Sequence, residues 1–358
     1  MLTLLALTAG LFFAMNIGAS GAAATMGVAY GSGAIKQKTT ALLLCGIGIL
    51  LGALFGGGEV VKTIGSGIVP ESTLTVQVVI ITIVSATISL FLANILGIPL
   101  STSEITVGAV VGVGIAYQSL YFNHLYIIMI FWIIVPVIAF IFTFFAGKII
   151  HFLEKKYPKI KGNNYQKWLT IVLIFAGFSE AFSAGMNNVA NAVGPLVGAG
   201  LLSLSNGTIL GGIFVALGAI LFGRKVLETN GKKITSFSLL EGCVISITGA
   251  SLIIGASLFG IPMPLTQVTT SSIIGIGSAQ NGFYIWQKRI VIQMIKVWIV
   301  SPVFSLVISY SLIKLLLVGD IYSLVVLLSV CLATIGTISL VKTIREDKRS
   351  VHEHGGGI

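Results

Sequence analysis

Charge is scarce in this chain. Asp, Glu, Lys and Arg make up 9% of 358 residues, where a soluble domain carries about 25%. That shortage excludes a water-soluble globular protein. Acidic residues are the rarer kind, 11 against 21 Lys and Arg. The resulting net charge of +10 would suit nucleic acid, but the basic residues sit in short loops between apolar runs. This is the positive-inside pattern of a membrane protein, and no nucleic-acid partner is implied. The four His are scattered without metal-ligand spacing. Cys45, Cys243 and Cys331 stand singly in apolar segments, which excludes a disulfide framework or a thiolate metal site. No nucleotide loop or catalytic triad occurs, so neither an enzyme nor a cofactor is indicated.

What is abundant is apolar sequence, 56% of the chain, together with 43 glycines. Apolar runs near 20 residues favour spanning helices over barrel strands, whose alternation covers about ten. Runs fall at 2–14, 40–55, 76–98, 125–145, 168–182, 208–222, 242–259, 290–318 and 321–341. Between them lie glycine-rich pieces at 16–33, 99–117, 187–202 and 262–279. These read as broken or re-entrant helices, tolerated at membrane depth only where protein or a cavity surrounds them. The N-terminal run has no basic flank, so it is expected to be a retained helix rather than a signal peptide, despite Ala22-Ala23-Ala24.

Three polar motifs occur twice, in the same order. Ala14-Met15-Asn16-Ile17-Gly18-Ala19-Ser20 is echoed by Gly185-Met186-Asn187-Asn188-Val189-Ala190-Asn191. Val60-Val61-Lys62-Thr63-Ile64-Gly65 is echoed by Val226-Leu227-Glu228-Thr229-Asn230-Gly231. Gly97-Ile98-Pro99-Leu100-Ser101-Thr102-Ser103-Glu104 is echoed by Gly260-Ile261-Pro262-Met263-Pro264-Leu265-Thr266-Gln267. The partners lie 171, 166 and 163 residues apart. Helix packing alone would explain Gly46, Gly48 and Gly52, but not ordered pairs that also carry Asn, Ser and Thr. Equivalent loops of the two copies pair one basic with one non-basic member, as opposite orientations require.

The expectation is an all-α polytopic membrane protein of two inverted-topology repeats with broken helices and about 11–12 transmembrane segments. Repeat one covers 1–124, followed by an extra helix at 125–147 and a basic cytoplasmic linker at 148–167. Repeat two covers 168–289, two C-terminal helices cover 290–341, and a tail covers 342–358. Basic loops inside place the N-terminus outside and the C-terminus in the cytoplasm of a plasma-membrane protein. Trp132, Trp168, Trp286 and Trp298 read as interfacial anchors or packing residues.

Pro99 pre-sets a helix whose first turn holds Ser101, Thr102 and Ser103. Free N–H groups and the positive dipole end of a helix bind oxyanions. The second copy offers Thr266, Gln267, Thr269 and Thr270, and Asn16, Ser20, Asn187, Asn188 and Asn191 supply further donors. No Lys or Arg lies in these motifs, so dipoles rather than counter-charges would hold an anion, which also allows its release. Intramembrane acids are functional candidates by default, and Glu104 and Glu180 are the two expected to carry a coupling ion.

These motifs, with Gly223 to Thr235, resemble the inorganic phosphate transporter (PiT) family over nearly the whole chain. The resemblance implies a secondary transporter for a tetrahedral oxyanion, coupled to a cation gradient. Phosphate members carry Gly-Ala-Asn-Asp in both Asn motifs, but here the Asp positions read Ile17 and Asn188. Their Ser-Thr-Thr-His becomes Ser101-Thr102-Ser103-Glu104, with Gln267 at the second His position. These departures, and the closing Gly355-Gly356-Gly357-Ile358, are closest to the sulfate permease (CysP-type) branch. Charge agrees: phosphate keeps a proton that a carboxylate can accept, whereas the sulfate dianion is repelled by one in low dielectric. Expected partners are sulfate or a like oxyanion, a coupling proton or sodium ion, and lipid, and a homo-oligomer is compatible. A sodium- or proton-coupled phosphate symporter is the alternative, with a passive pore behind it.

Overall fold

The computed structural model describes every residue except 22–23, 96–100, 158–161, 233–236, 288, 324, 326–327 and 330–358. Every regular element among the described residues is helical. The Gly97–Leu100 start of the first Gly-Ile-Pro motif, the tail, and most of 321–341 lie outside them. The chain falls into two compact units, Met1–Ser309 and Tyr310–Ile358.

The first half runs α1 (Leu2–Ser20), α2 (Gly27–Gly31), α3 (Lys38–Gly56), α4 (Gly58–Lys62) with a π turn at Thr63–Gly67, α5 (Val76–Ile95), α6 (Thr102–Ala116) and α7 (Phe122–Lys156). The second runs α8 (Asn163–Gly198), α9 (Leu204–Phe222), α10 (Arg224–Lys232), α11 (Leu239–Leu258), α12 (Leu265–Asn281) and α13 (Arg289–Ile313). Order and length repeat: α3 and α9 are each 19 residues, α5 and α11 each 20, and α6 and α12 15 and 17. In the smaller unit, a π turn at Lys314–Val318 ends at left-handed Gly319, and Asp320 receives the Ser323 amide and hydroxyl. Those two donors hold the Asp320 carboxyl below its ordinary value.

Among the described residues, seven helices are long and apolar enough to cross a bilayer, and 76–91 and 102–116 form shorter apolar ones. Of the pieces expected to be broken or re-entrant helices, 16–33 is broken where α1 stops at Ser20, and 262–279 holds a non-helical stretch before α12 starts at Leu265. The expectation fails at 187–202. There α8 continues through the Asn motif to Gly198, with Pro195 within the helix. Asn187, Asn188 and Asn191 keep helical backbone because their amides bond other elements instead of competing for the local chain. Helix α7 likewise runs on through Lys148 to Lys156.

Packing is reciprocal. Helix α1 lies on α9, and α3 on α8. Since α1 corresponds to α8 and α3 to α9, this is one contact made twice, as a two-fold relation between halves requires. Helices α3 and α9, themselves equivalent, also meet. Small residues permit the close approach. A Cβ at Gly218 would overlap the Met15 carbonyl, and one at Gly52 the Phe182 carbonyl.

Candidate anion cradle

Helix α8 carries the chemistry into the core. Asn187, Asn188 and Asn191 are at most 1% exposed, although a buried Asn must find partners for two donors and its carbonyl. Asn187 finds them all. Its Nδ2 donates to Ser257 Oγ at 2.9 Å and to the Ile261 carbonyl at 3.0 Å. Its Oδ1 accepts from the Met263 amide at 2.9 Å and from Ser103 Oγ at 3.3 Å. The residue therefore pins the unwound stretch before α12, which begins where Gly260 (φ 69°) ends α11. Trp132 pins it from the other side, donating to the Pro262 carbonyl at 2.7 Å. The indole expected to anchor at the interface thus holds the repeat-two motif.

Helix α6 starts against the same Asn cluster. Ser101 is its N-cap, in extended conformation, and its hydroxyl receives the Glu104 amide. Thr102 Oγ1 donates to Asn188 Oδ1 at 3.4 Å and accepts from Asn191 Nδ2 at 3.3 Å. Asn191 Nδ2 also donates to Ser103 Oγ at 3.2 Å. Three buried atoms around these helix starts have no partner among the described residues: Asn188 Nδ2, Asn191 Oδ1 and Thr266 Oγ1. Leaving such groups unpaired costs about 1–3 kcal/mol each. Gly21, just past α1, closes one side, where a Cβ would stand 3.7 Å from Asn188 Nδ2.

Glu104 points away from this cluster. Its Oε1 accepts from Gln267 Nε2 and its Oε2 from Ser301 Oγ at 2.6 Å. Glu104 and Gln267 are equivalent positions of the two repeats, so their contact marks where the halves meet. An apolar cavity of about 700 Å³ lies on the far side, lined by Glu104, Gln267, Trp132, Trp286, Phe140 and Pro302 among others. Glu180, two turns before Asn187 on α8, accepts on Oε1 from Thr269 Oγ1 at 2.5 Å, and its Oε2 has no partner among the described residues. Neither carboxylate forms a salt bridge among the described residues.

The remaining expected residues divide. Thr270 is buried on α12. Asn16 and Ser20 bond carbonyls of their own helix, at Phe12 and at Asn16 and Ile17. Residues outside the motifs that take part are Ser257 and Ser301, and within the second Gly-Ile-Pro motif it is the Ile261 and Met263 backbone that bonds Asn187. A signal for Ser301 was present: Ser301, Ser305 and Ser309 recur every fourth residue in an apolar helix, and all three are buried.

Buried helix starts, hydroxyls and amides on apolar helices are the kind of donors that a membrane carrier of a small anion would use. The comparisons agree in class. Residues 17–309 match the model of the phosphate transporter family, and the chain belongs to that family. It is 62% identical over 355 residues to "Sulfate permease CysP" of Bacillus subtilis (strain 168), covering 99% of each chain. A solved structure titled "The sodium-dependent phosphate transporter" shares the fold at TM-score 0.74 and 22% identity, covering 88% of this chain and 100% of that one.

Proposed function

We propose that this protein imports sulfate across the plasma membrane as a secondary active transporter, with protons as the coupling cation. Two inverted halves alternate access to one site near the bilayer midplane. The N-terminus faces outward and the C-terminus the cytoplasm. The observation that carries the reading is the Asn188 amide, a buried donor without a partner beside the first turn of α6. An oxyanion bound there would accept from Asn188 Nδ2 and from the leading N–H groups of α6, and from the Thr102 and Ser103 hydroxyls once these turn away from Asn188 Oδ1 and Asn187 Oδ1. Thr266 would approach from the other half. Asn187 positions this cradle and does not contact the anion, since each of its amide atoms is already engaged. The absence of a carboxylate at Asn188 favours a dianion that has no proton to share, in line with the sulfate permease relative.

The phosphate reading has the family and the shared fold in its favour. Uptake of radiolabelled sulfate and phosphate in a strain lacking both importers separates the two. Sulfate uptake inhibited by excess sulfate and thiosulfate but not by phosphate is expected. Uptake of phosphate alone would overturn the sulfate reading.

A further inference from the structure

Glu104 and Glu180 are the two coupling candidates from sequence, but their surroundings differ. Both Glu104 oxygens are engaged, so this carboxylate ties α6 to α12 and α13. Glu180 is fully buried, with one oxygen held by Thr269 of α12 and the other without a partner. Ser246 of α11 is its neighbour, and the Ser246 hydroxyl also lacks a partner. This pair can be satisfied in either protonation state: the acid O–H can donate to Ser246 Oγ, and the ionised Oε2 can accept from the Ser246 hydroxyl. The two carboxylate oxygens, Thr269 and Ser246 make only four hard oxygens, whereas a hard metal ion in a dry site takes about six. The site therefore suits a proton.

The ionisable group facing Glu180 from a packed helix is the Cys45 thiol of α3. Other ionisable groups on helices against α8 are engaged elsewhere. Lys38 pairs with Glu228 and lies near Tyr30, and Lys62 pairs with Glu59. Glu241 caps α11 and receives Gln280, while Cys243 donates to the Leu169 carbonyl.

We infer that Glu180, and not Glu104, carries the coupling proton, and that Thr269 transmits its occupancy to the anion cradle. The geometry supplies the path. Seven residues on α8 separate Glu180 from Asn187, two turns or about 10 Å along one face. Thr269 lies one turn into α12, whose approach segment Asn187 holds. A proton arriving on Glu180 alters the Thr269 bond and so the seat of α12 against the cradle. Glu104 is a positioning residue at the meeting point of the halves. This inference rests on the transport reading above.

The test uses the purified full chain in proteoliposomes, reading labelled sulfate accumulation driven by an imposed acid-outside gradient and, separately, sulfate–sulfate exchange without a gradient. Glu180→Gln is expected to lower the ratio of gradient-driven accumulation to exchange at least tenfold. Glu104→Gln is expected to leave that ratio within about twofold, whatever it does to the overall rate. Ser246→Ala, a milder change that tests the same site should Glu180→Gln fail to fold, is expected to lower the ratio severalfold. A wild-type ratio in Glu180→Gln or Ser246→Ala, an uncoupled Glu104→Gln, or accumulation driven by sodium at constant pH would each overturn the inference. Wild-type protein without sulfate exchange would instead defeat the transport reading itself.

Discussion

The two Asn motifs descend from one pattern and have been put to opposite uses. In α8 the helix runs unbroken through the motif, and all three Asn side chains reach other elements. In α1 the helix stops at Ser20, and Asn16 and Ser20 bond their own backbone. The helix starts differ too. That of α6 has a capping serine, while that of α12 begins at Pro264 with no side-chain cap. The proposed cradle among the described residues is thus built mainly on α8 and α6. The counterpart α1 delivers only the close backbone of Gly21. Substitutions at paired positions should therefore have very unequal effects.

The largest effect is expected at Asn188. Asn188→Asp replaces the unpaired donor with an acceptor carrying negative charge in a low-dielectric site. Sulfate affinity should fall at least 100-fold, about 2.7 kcal/mol, and the phosphate-to-sulfate uptake ratio should rise. Sulfate uptake at wild-type affinity would show that the anion does not meet Asn188.

Asn187 stands one residue away with all its amide atoms engaged, so its loss should register as stability. Asn187→Ala leaves the Met263 amide, the Ile261 carbonyl and two serine hydroxyls without their partner. A cost of about 3 kcal/mol is expected, since buried groups orphaned together each forfeit about 1–3 kcal/mol without full additivity. Thermal unfolding in detergent checks it. An unchanged transition would mean that water replaces these bonds.

At the start of α6, Ser101→Ala with Thr102→Ala removes the cap and one ligand hydroxyl. Sulfate affinity should drop about tenfold, one hydrogen bond to a charged group, with protein level and fold retained. A wild-type affinity would misplace the site.

Much of this was legible in the sequence, because bilayer helices and helix starts follow local rules. The motifs located α6, α8 and α12, while Ser101, expected in the first turn of α6, is instead its N-cap. The uninterrupted course of α8 was not legible. Glycine and asparagine are poor helix formers in isolation, and the partners that engage Asn187, Ser103 on α6 and Met263 just before α12, are distant in sequence. The difference between Glu104 and Glu180 was equally hidden. It depends on Ser301 and Ser246, each distant in sequence from the motif that it completes. Equivalence by sequence spacing gave Asn16 and Asn187 the same expected role, and tertiary bonds separated them.

The smallest expected effect sharpens that separation most. Asn16 is partly exposed, and its amide returns to the Phe12 carbonyl one turn back. Such a local bond competes with water and contributes little, so Asn16→Ala should change stability by less than about 0.5 kcal/mol and sulfate uptake by less than about twofold. Asn16→Asp puts a carboxylate in a helix apolar enough to span the bilayer and should cost stability, but it should leave sulfate affinity within about twofold, in contrast to Asn188→Asp. Kinetics of labelled sulfate uptake for both variants, set beside those of Asn188→Asp, measure the asymmetry directly. A loss at Asn16 comparable to that at Asn188 would mean that α1 moves into the cradle during transport, and that the two halves share the anion after all.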